Sequence, residues 1–433
     1  MQDKIEILYE LFLKNPYICT DTRKAVPGSV FFALRGETYN ANRFAFQALE
    51  KGCAYAVIDE EEFVKGRQYI LVDDVLQTLQ QLAVYHRKQF KFPVIGITGT
   101  NGKTTTKELI HAILSKKYKT YSTQGNFNNH IGVPLTLLSI PCDAEFAVVE
   151  MGANHPGEIR DLCNLSFPGY GIITNIGKAH LEGFGNIEGV VSTKKELFNT
   201  VSSSGGKVFV CRDNELLMRL SESIEKITYG VSSDSGCRGG ILECDPLLKL
   251  KWYSSSEKEE IIVSSNLVGS FNFENVLAAI CIGEYFKVDA NDIKNAIENY
   301  IPSNNRSQII RTEKNRIIMD AYNANPTSME ASIRNFMQNT CERKFAIIGD
   351  MLELGTEAEK EHKKIVDLLK NSGFEKVILI GKTFYSLRDS FDYLVFMDVS
   401  DVSAWIIKNN PAGYSILIKG SHGIKLDKLP ELL

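Results

Sequence analysis

A glycine-rich stretch ending in Gly102-Lys103-Thr104 carries the clearest chemistry in this sequence. The apolar run Val94-Ile95-Gly96-Ile97 before it reads as a buried strand, and Leu109, Ile110, Ala112, Ile113 and Leu114 after it read as a helix. Strand, glycine loop, Gly-Lys-Thr and helix are the layout of a phosphate-binding loop. Glycines let successive backbone N–H groups curl around phosphate oxygens, and the helix N-terminus adds partial positive charge. Gly99, Thr100, Asn101, Gly102, Lys103, Thr104 and Thr105 then become the nucleotide-binding candidates, with Lys103 reaching the outer phosphates and the Thr104 hydroxyl on a magnesium ion. The general pattern wants a glycine six residues before the lysine, where this chain has Ile97.

A second candidate group lies downstream. The run Phe146-Ala147-Val148-Val149-Glu150 reads as a buried strand ending in a carboxylate, which is where a further metal-holding group belongs beside a phosphate loop. Asn126, Asn128 and Asn129 fall in a loop that starts at Thr123, and amides there suit a sugar, a peptide or a metal-bound oxygen, or simply a turn. His180 reads as a metal ligand, a phosphate neighbour or a turn residue. Asn272 and Asn275 stand about one helical turn apart, so their amides can face the same way. Lys194, Lys195 and Glu196 lie on a helix face that, by itself, reads as solvated, and Arg23 and Arg35 read as surface arginines.

The elements that must position these residues fall into three stretches. Residues 1–90 read as a small α/β unit, with a helix at Ile5–Leu13 and strands near Val30, Ala54–Ile58 and Tyr69–Val72. Residues 91–302 read as a central phosphate-loop domain with a parallel sheet and a strand-rich insert from Lys207 to Leu267, where Ser232–Gly240 reads as a flexible turn. Residues 303–433 alternate strand and helix, which predicts a Rossmann-like open parallel sheet with ligands at the strand C-termini. Asp320, Gly349-Asp350 and Lys419-Gly420-Ser421 lie at such ends.

Together these motifs resemble the Mur ligase family over nearly the whole chain. The resemblance rests on Gly99–Thr105, Gly125–Asn129, Met151–His155, His180–Gly185, Asp320–Asn325 and Gly349–Gly355. It implies an ATP-dependent amide ligase that joins D-alanyl-D-alanine to UDP-N-acetylmuramoyl-tripeptide in cell-wall precursor synthesis. An Asp-Asn-Pro-Arg motif, expected in the sister ligase that adds a diamino acid, is missing from the sequence. The resemblance further implies ATP and two magnesium ions, the first with Thr104 and Thr123 and the second with Glu150 and His180. It implies a carbamylated lysine at Lys194, adenine contacts from Asn272 and Asn275, and ribose contacts from Arg306 and Asp320. Thr22, Arg23 and Arg35 match positions near the uridine nucleotide, and Asn325, Lys419 and Ser421 match positions near the incoming dipeptide. Where the family carries Asp-Gly-His after its first-domain strand, this chain has Asn40-Ala41-Asn42. Another Mur-type ligase, folylpolyglutamate synthetase, or a phosphate-loop protein that is not a ligase are the alternatives.

Composition sets the outer limits. A length of 433 residues suits about three domains of ~150 each. A net charge of −4 calls for no nucleic-acid partner, and no stretch approaches a membrane span. Nine cysteines at irregular spacing, with no Cys-x-x-Cys, read as reduced thiols in a cytoplasm. A monomer acting on small molecules is expected.

Overall fold

The computed structural model describes residues 2–303, 305–341 and 343–433. Three large sheets organise it, one within each of the three stretches, and a two-stranded ribbon of Arg35–Gly36 and Tyr39–Asn40 adds to the first.

In the first, Val30–Phe32 lies between Ile18–Cys19 and Tyr55–Ile58, with Tyr69–Leu71 at the far edge, all parallel. Helix Val75–Arg87 starts at the Asp74 cap, whose carboxylate accepts from the Gln77 N–H at 2.7 Å. This helix packs on Gln2–Lys14 and also on Gly132–Leu138 and Glu158–Ser166 of the central stretch. One apolar core therefore runs through both stretches, from Leu8 and Leu79 to Val133 and Leu162. Arg87 pins the junction: its guanidinium donates to the carbonyls of Ser166 at 2.7 Å, Phe90 at 3.0 Å and Phe167 at 3.1 Å. Arg87→Ala leaves three carbonyls without these donors, and we expect a loss of about 2–4 kcal/mol in unfolding free energy by urea titration.

The central sheet has nine strands. From one edge they run Thr120–Ser122, Phe146–Glu150, Val94–Thr98, Tyr170–Ile173, Lys207–Cys211, Lys226–Gly230, Cys237–Cys244, Leu247–Ser254 and Glu259–Val268. The first seven are parallel and the last two add antiparallel ladders. Val94–Thr98 and Phe146–Glu150 are buried at every position, which is why they read as unbroken apolar runs. The strand-rich stretch extends this same sheet. Cys237–Cys244 is a strand where the glycines of Ser232–Gly240 read as a turn. Gly239 is small there because helix Phe273–Tyr285 packs against it: a Cβ would meet Leu277 at 2.8 Å.

The third sheet has the order Gln308–Arg311, Arg316–Asp320, Ser415–Lys419, Lys344–Gly349, Lys376–Ile380 and Leu394–Phe396. All are parallel except the first, an antiparallel edge strand not predicted from the sequence. The C-terminal ends of Val94–Thr98, Phe146–Glu150, Arg316–Asp320 and Ser415–Lys419 lead into one cleft. No helix among the described residues is long and apolar enough to cross a membrane. All nine cysteines are free thiols.

Candidate active site

The phosphate loop forms because Gly99 and Gly102 take φ of 149° and 78°, where a side chain would be strained. At Gly102 a Cβ would also meet the Asn275 amide oxygen at 2.4 Å. The amide of Asn275 thus packs directly beneath the loop. It accepts from Thr106 Oγ1 at 3.1 Å and donates to Asn272 Oδ1 at 2.9 Å, while Asn272 donates to the Val268 carbonyl. Both asparagines line the cleft.

Helix Lys103–Leu114 opens on Lys103, whose ammonium donates to the carbonyls of Gly99 at 2.7 Å and Thr100 at 3.0 Å. Burial pushes this lysine down to about 8; Glu150 opposes the shift and Arg306 adds to it. Thr104 Oγ1 donates to Glu150 Oε2 at 2.8 Å, and Asn128 Nδ2 donates to the other carboxylate oxygen at 2.9 Å. Thr123 is fully buried, and its hydroxyl accepts from the Glu150 N–H at 3.0 Å, so it supports the carboxylate from behind. A hydroxyl and a carboxylate in contact at a loop mouth form a hard-oxygen set that fits a magnesium ion.

His180 sits in the left-handed region (φ 51°), and its Nδ1 lies 2.5 Å from Glu353 Oε2 across the domain boundary. No cluster of three or more His, Cys, Asp or Glu groups suited to a metal occurs among the described residues. Lys194 is buried and lines the cleft, and its ammonium lies 5.7 Å from the Phe184 ring. Burial pushes it down to about 7, and the nearby Lys103 charge adds to the effect.

The cleft has a volume of about 1500 Å³ and draws walls from the central and C-terminal sheets. Asn126, Asn128, Asn129, Arg306, Asp320 and Lys419 line it. Asp320 accepts from Lys419 and Ser332, each at 2.7 Å, so the ammonium of Lys419 is held in an ion pair. The Arg306 guanidinium lies 3.5 Å above the Tyr322 ring, with its Nε buried and unbonded. Asn325 caps helix Pro326–Gln338 and donates to Asn101 Oδ1 at 2.8 Å, joining the C-terminal domain to the phosphate loop. Ser421 is buried outside the cleft wall, accepting from the Leu352 N–H. Asn129 accepts from the N–H groups of Ile131 and Gly132.

The first-domain candidates stand apart from the cleft wall. Thr22 bonds Gln47, Arg23 pairs with Asp21 at 2.7 Å on an exposed turn, and Arg35 pairs with Asp59 at 3.1 Å and Glu60 at 3.3 Å. Asn40 donates to both Glu60 oxygens, and the buried Asn42 bridges Asn40 to Asp59. This amide–carboxylate net is what the Asn40-Ala41-Asn42 stretch builds.

Sequence reasoning missed several groups. Lys107 is buried, donates to the Thr123 carbonyl at 2.6 Å and lies 3.9 Å from Glu150 Oε2. Its position four residues after Lys103, on the same helix face, was the available signal. Asn175 receives the Asn101 N–H and donates back to the Asn101 carbonyl, bracing the loop. Tyr322 carries the stack on Arg306.

Comparison with known proteins decides the family. Residues 97–283 match the Mur ligase middle domain and residues 305–422 match the Mur ligase glutamate ligase domain. The chain is 33% identical to the UDP-N-acetylmuramoyl-tripeptide–D-alanyl-D-alanine ligase of Bacillus subtilis (strain 168), over 95% of this chain and 92% of that one. The chain belongs to the Mur ligase family. Among solved structures, MurF from Acinetobacter baumannii matches at 28% identity with a TM-score of 0.84, covering 96% of this chain and 92% of that chain. The MurF ligase from Thermotoga maritima, solved in complex with ADP, has the same fold, with a TM-score of 0.82 at 23% identity and 97% of each chain covered. The three-domain α/β architecture expected for a Mur ligase is therefore the one present.

Proposed function

We propose that this Mur ligase is the ATP-dependent enzyme that joins D-alanyl-D-alanine to UDP-N-acetylmuramoyl-tripeptide, giving the pentapeptide precursor of peptidoglycan. The full-length similarity to ligases of that name supports the choice of substrates. The observation that carries the chemistry is the convergence of Lys103, Thr104, Glu150, Arg306 and Lys194 on one cleft between two sheets.

In this reading a carboxylate oxygen of the tripeptide attacks the terminal phosphorus of ATP and ADP leaves. The dipeptide amine then attacks the carbonyl carbon of the acyl phosphate, loses a proton, and phosphate departs. Lys103 meets the transferring phosphoryl group with its ammonium. Thr104, with Thr123 behind it, would hold a first magnesium ion, and Glu150 and His180, with a carbamylated Lys194, would hold a second. Magnesium supplies charge neutralisation of the phosphate oxygens there. Asn272 and Asn275 bound the adenine pocket beneath the loop, and Arg306 and Asp320 face the ribose. The C-terminal domain, tied to the loop through Asn325 and Asn101, keeps water from the acyl phosphate. Thr22, Arg23 and Arg35 serve the uridine end of the substrate, and Asn126, Asn128 and Asn129 its sugar and peptide. Lys419 on the cleft wall, with Asn325 and Ser421 behind it, would serve the incoming dipeptide. A cytoplasmic monomer fits this work.

Phosphate release from ATP and magnesium, measured with each substrate omitted in turn, tests the assignment. We expect release to need both the tripeptide and D-alanyl-D-alanine, with a pentapeptide product by mass. Release with the dipeptide precursor and a diamino acid instead would move the chain to the sister ligase.

A further inference from the structure

The segment that enters the C-terminal domain begins at Tyr300. The Tyr300 hydroxyl donates to Glu108 Oε2 at 2.5 Å, and Glu108 sits on the phosphate-loop helix. The Tyr300 carbonyl accepts from Asn266, at the last strand of the central sheet, and its ring packs on the central core. On the other side of the segment, the Asn305 carbonyl accepts from the Ala321 N–H of the C-terminal domain. Arg306 follows immediately, stacked on Tyr322 at the cleft. The segment is thus clamped to one domain at Tyr300 and to the other at Asn305, with Arg306 at its delivering end.

Charge makes that clamp consequential. Arg306 interacts unfavourably with Lys103 and Lys107, two cations already gathered under the loop. Glu108 supplies a nearby anion: its Oε1 lies 3.9 Å from the Lys107 ammonium, which in turn lies 3.9 Å from Glu150. Glu108 therefore joins two things in one side chain, the buried cation behind Glu150 and the hydroxyl that anchors the inter-domain segment.

We infer that Glu108 is a positioning residue that, through the Tyr300 hydroxyl, fixes where the inter-domain segment starts and so where Arg306 meets the nucleotide. The inference rests on the nucleotide role proposed for Arg306. It predicts an effect on nucleotide affinity from a residue that only reaches the nucleotide through another.

The test uses the full chain and ADP as the probe, with affinity read by calorimetry. Arg306→Ala is expected to weaken ADP binding about tenfold. Tyr300→Phe keeps the ring and removes only the hydroxyl, and it should weaken ADP about three- to fivefold. It should raise the KM for ATP while leaving the KM for D-alanyl-D-alanine and the melting temperature unchanged. Glu108→Gln keeps an acceptor for the hydroxyl and should retain most of the affinity, whereas Glu108→Ala removes it and should weaken ADP about as much as Tyr300→Phe; wild-type affinity in Glu108→Ala overturns the role of Glu108. Adding Tyr300→Phe to Arg306→Ala should cost nothing more, because the two act through one contact. Wild-type ADP affinity in Tyr300→Phe, or full additivity with Arg306→Ala, overturns the positioning role. Wild-type affinity in Arg306→Ala overturns the reading of Arg306 itself, and the positioning role with it.

Discussion

Lys103→Ala is expected to lower kcat/KM for ATP by about 10²–10³-fold, with little change in melting temperature. Among the described residues the ammonium bonds only to carbonyls of its own loop, Gly99 and Thr100, and to none that ties distant elements together. Removing it therefore costs the fold little. It costs the reaction much more, because Lys103 is the cation at the loop mouth that can follow charge moving onto the leaving phosphate. Burial has already pushed it down to about 8, so its proton is held less firmly than a surface lysine's, and phosphate oxygens would restore the charged form. Lys103→Arg should recover only a small part of the loss, since a planar fork does not replace a point charge where the Gly99 and Thr100 carbonyls close in. Phosphate release under saturating dipeptide and tripeptide measures the effect. A rate within threefold of wild type in Lys103→Ala would mean that the loop does not hold the reacting phosphates.

The strands that carry the site were legible because burial on both faces leaves no room for polar residues: Val94–Thr98 and Phe146–Glu150 announce themselves as apolar runs that end in chemistry. The loop was legible because glycine, lysine and threonine are each needed there for a different physical reason. What did not show in sequence was pairing across long separations. Lys419 lies at a strand end where a ligand could bind, yet Asp320, its neighbour in the sheet register, holds it in an ion pair. His180 and Glu353 meet only because two left-handed turns from different domains face each other. Lys107 drew no reading from the sequence, because only the fold places Thr123 and Glu150 around it. Cys237–Cys244 was hidden by its glycines, and the cause at Gly239, the packing of Leu277 from helix Phe273–Tyr285, lies in another part of the chain.

Lys194→Ala is expected to reduce turnover at least about 10²-fold, and added acetate or formate should restore part of it. Lys194 is buried on helix Ile187–Ser203, and its ammonium has no carboxylate within ion-pair distance among the described residues. An unpaired buried ammonium is costly, and two changes relieve that cost: loss of the proton, or conversion to an anion that can hold a cation. With the lysine pushed down to about 7, a large share of it is a neutral amine near neutrality, the form that attacks carbon dioxide. The new N–C bond would form as the neutral amine loses one proton, giving a carbamate anion; counted from the ammonium, two protons leave and a positive side chain becomes a negative one. That anion would sit near Lys103 and would complete the donor set begun by Glu150 on the same cleft wall. The sign of the pH effect follows. Below about 7 the ammonium prevails and cannot take up carbon dioxide, so activity at a fixed, limiting bicarbonate concentration should fall as pH drops through that value. Added bicarbonate should recover it at neutral pH and above, and a carbamate carbon should appear by NMR after exposure to ¹³C-bicarbonate. Lys195→Ala, one residue along and only partly buried, should keep its rate. Lys194→Ala turning over at the wild-type rate would remove the carbamate from this mechanism and leave Glu150 as the central metal-holding carboxylate.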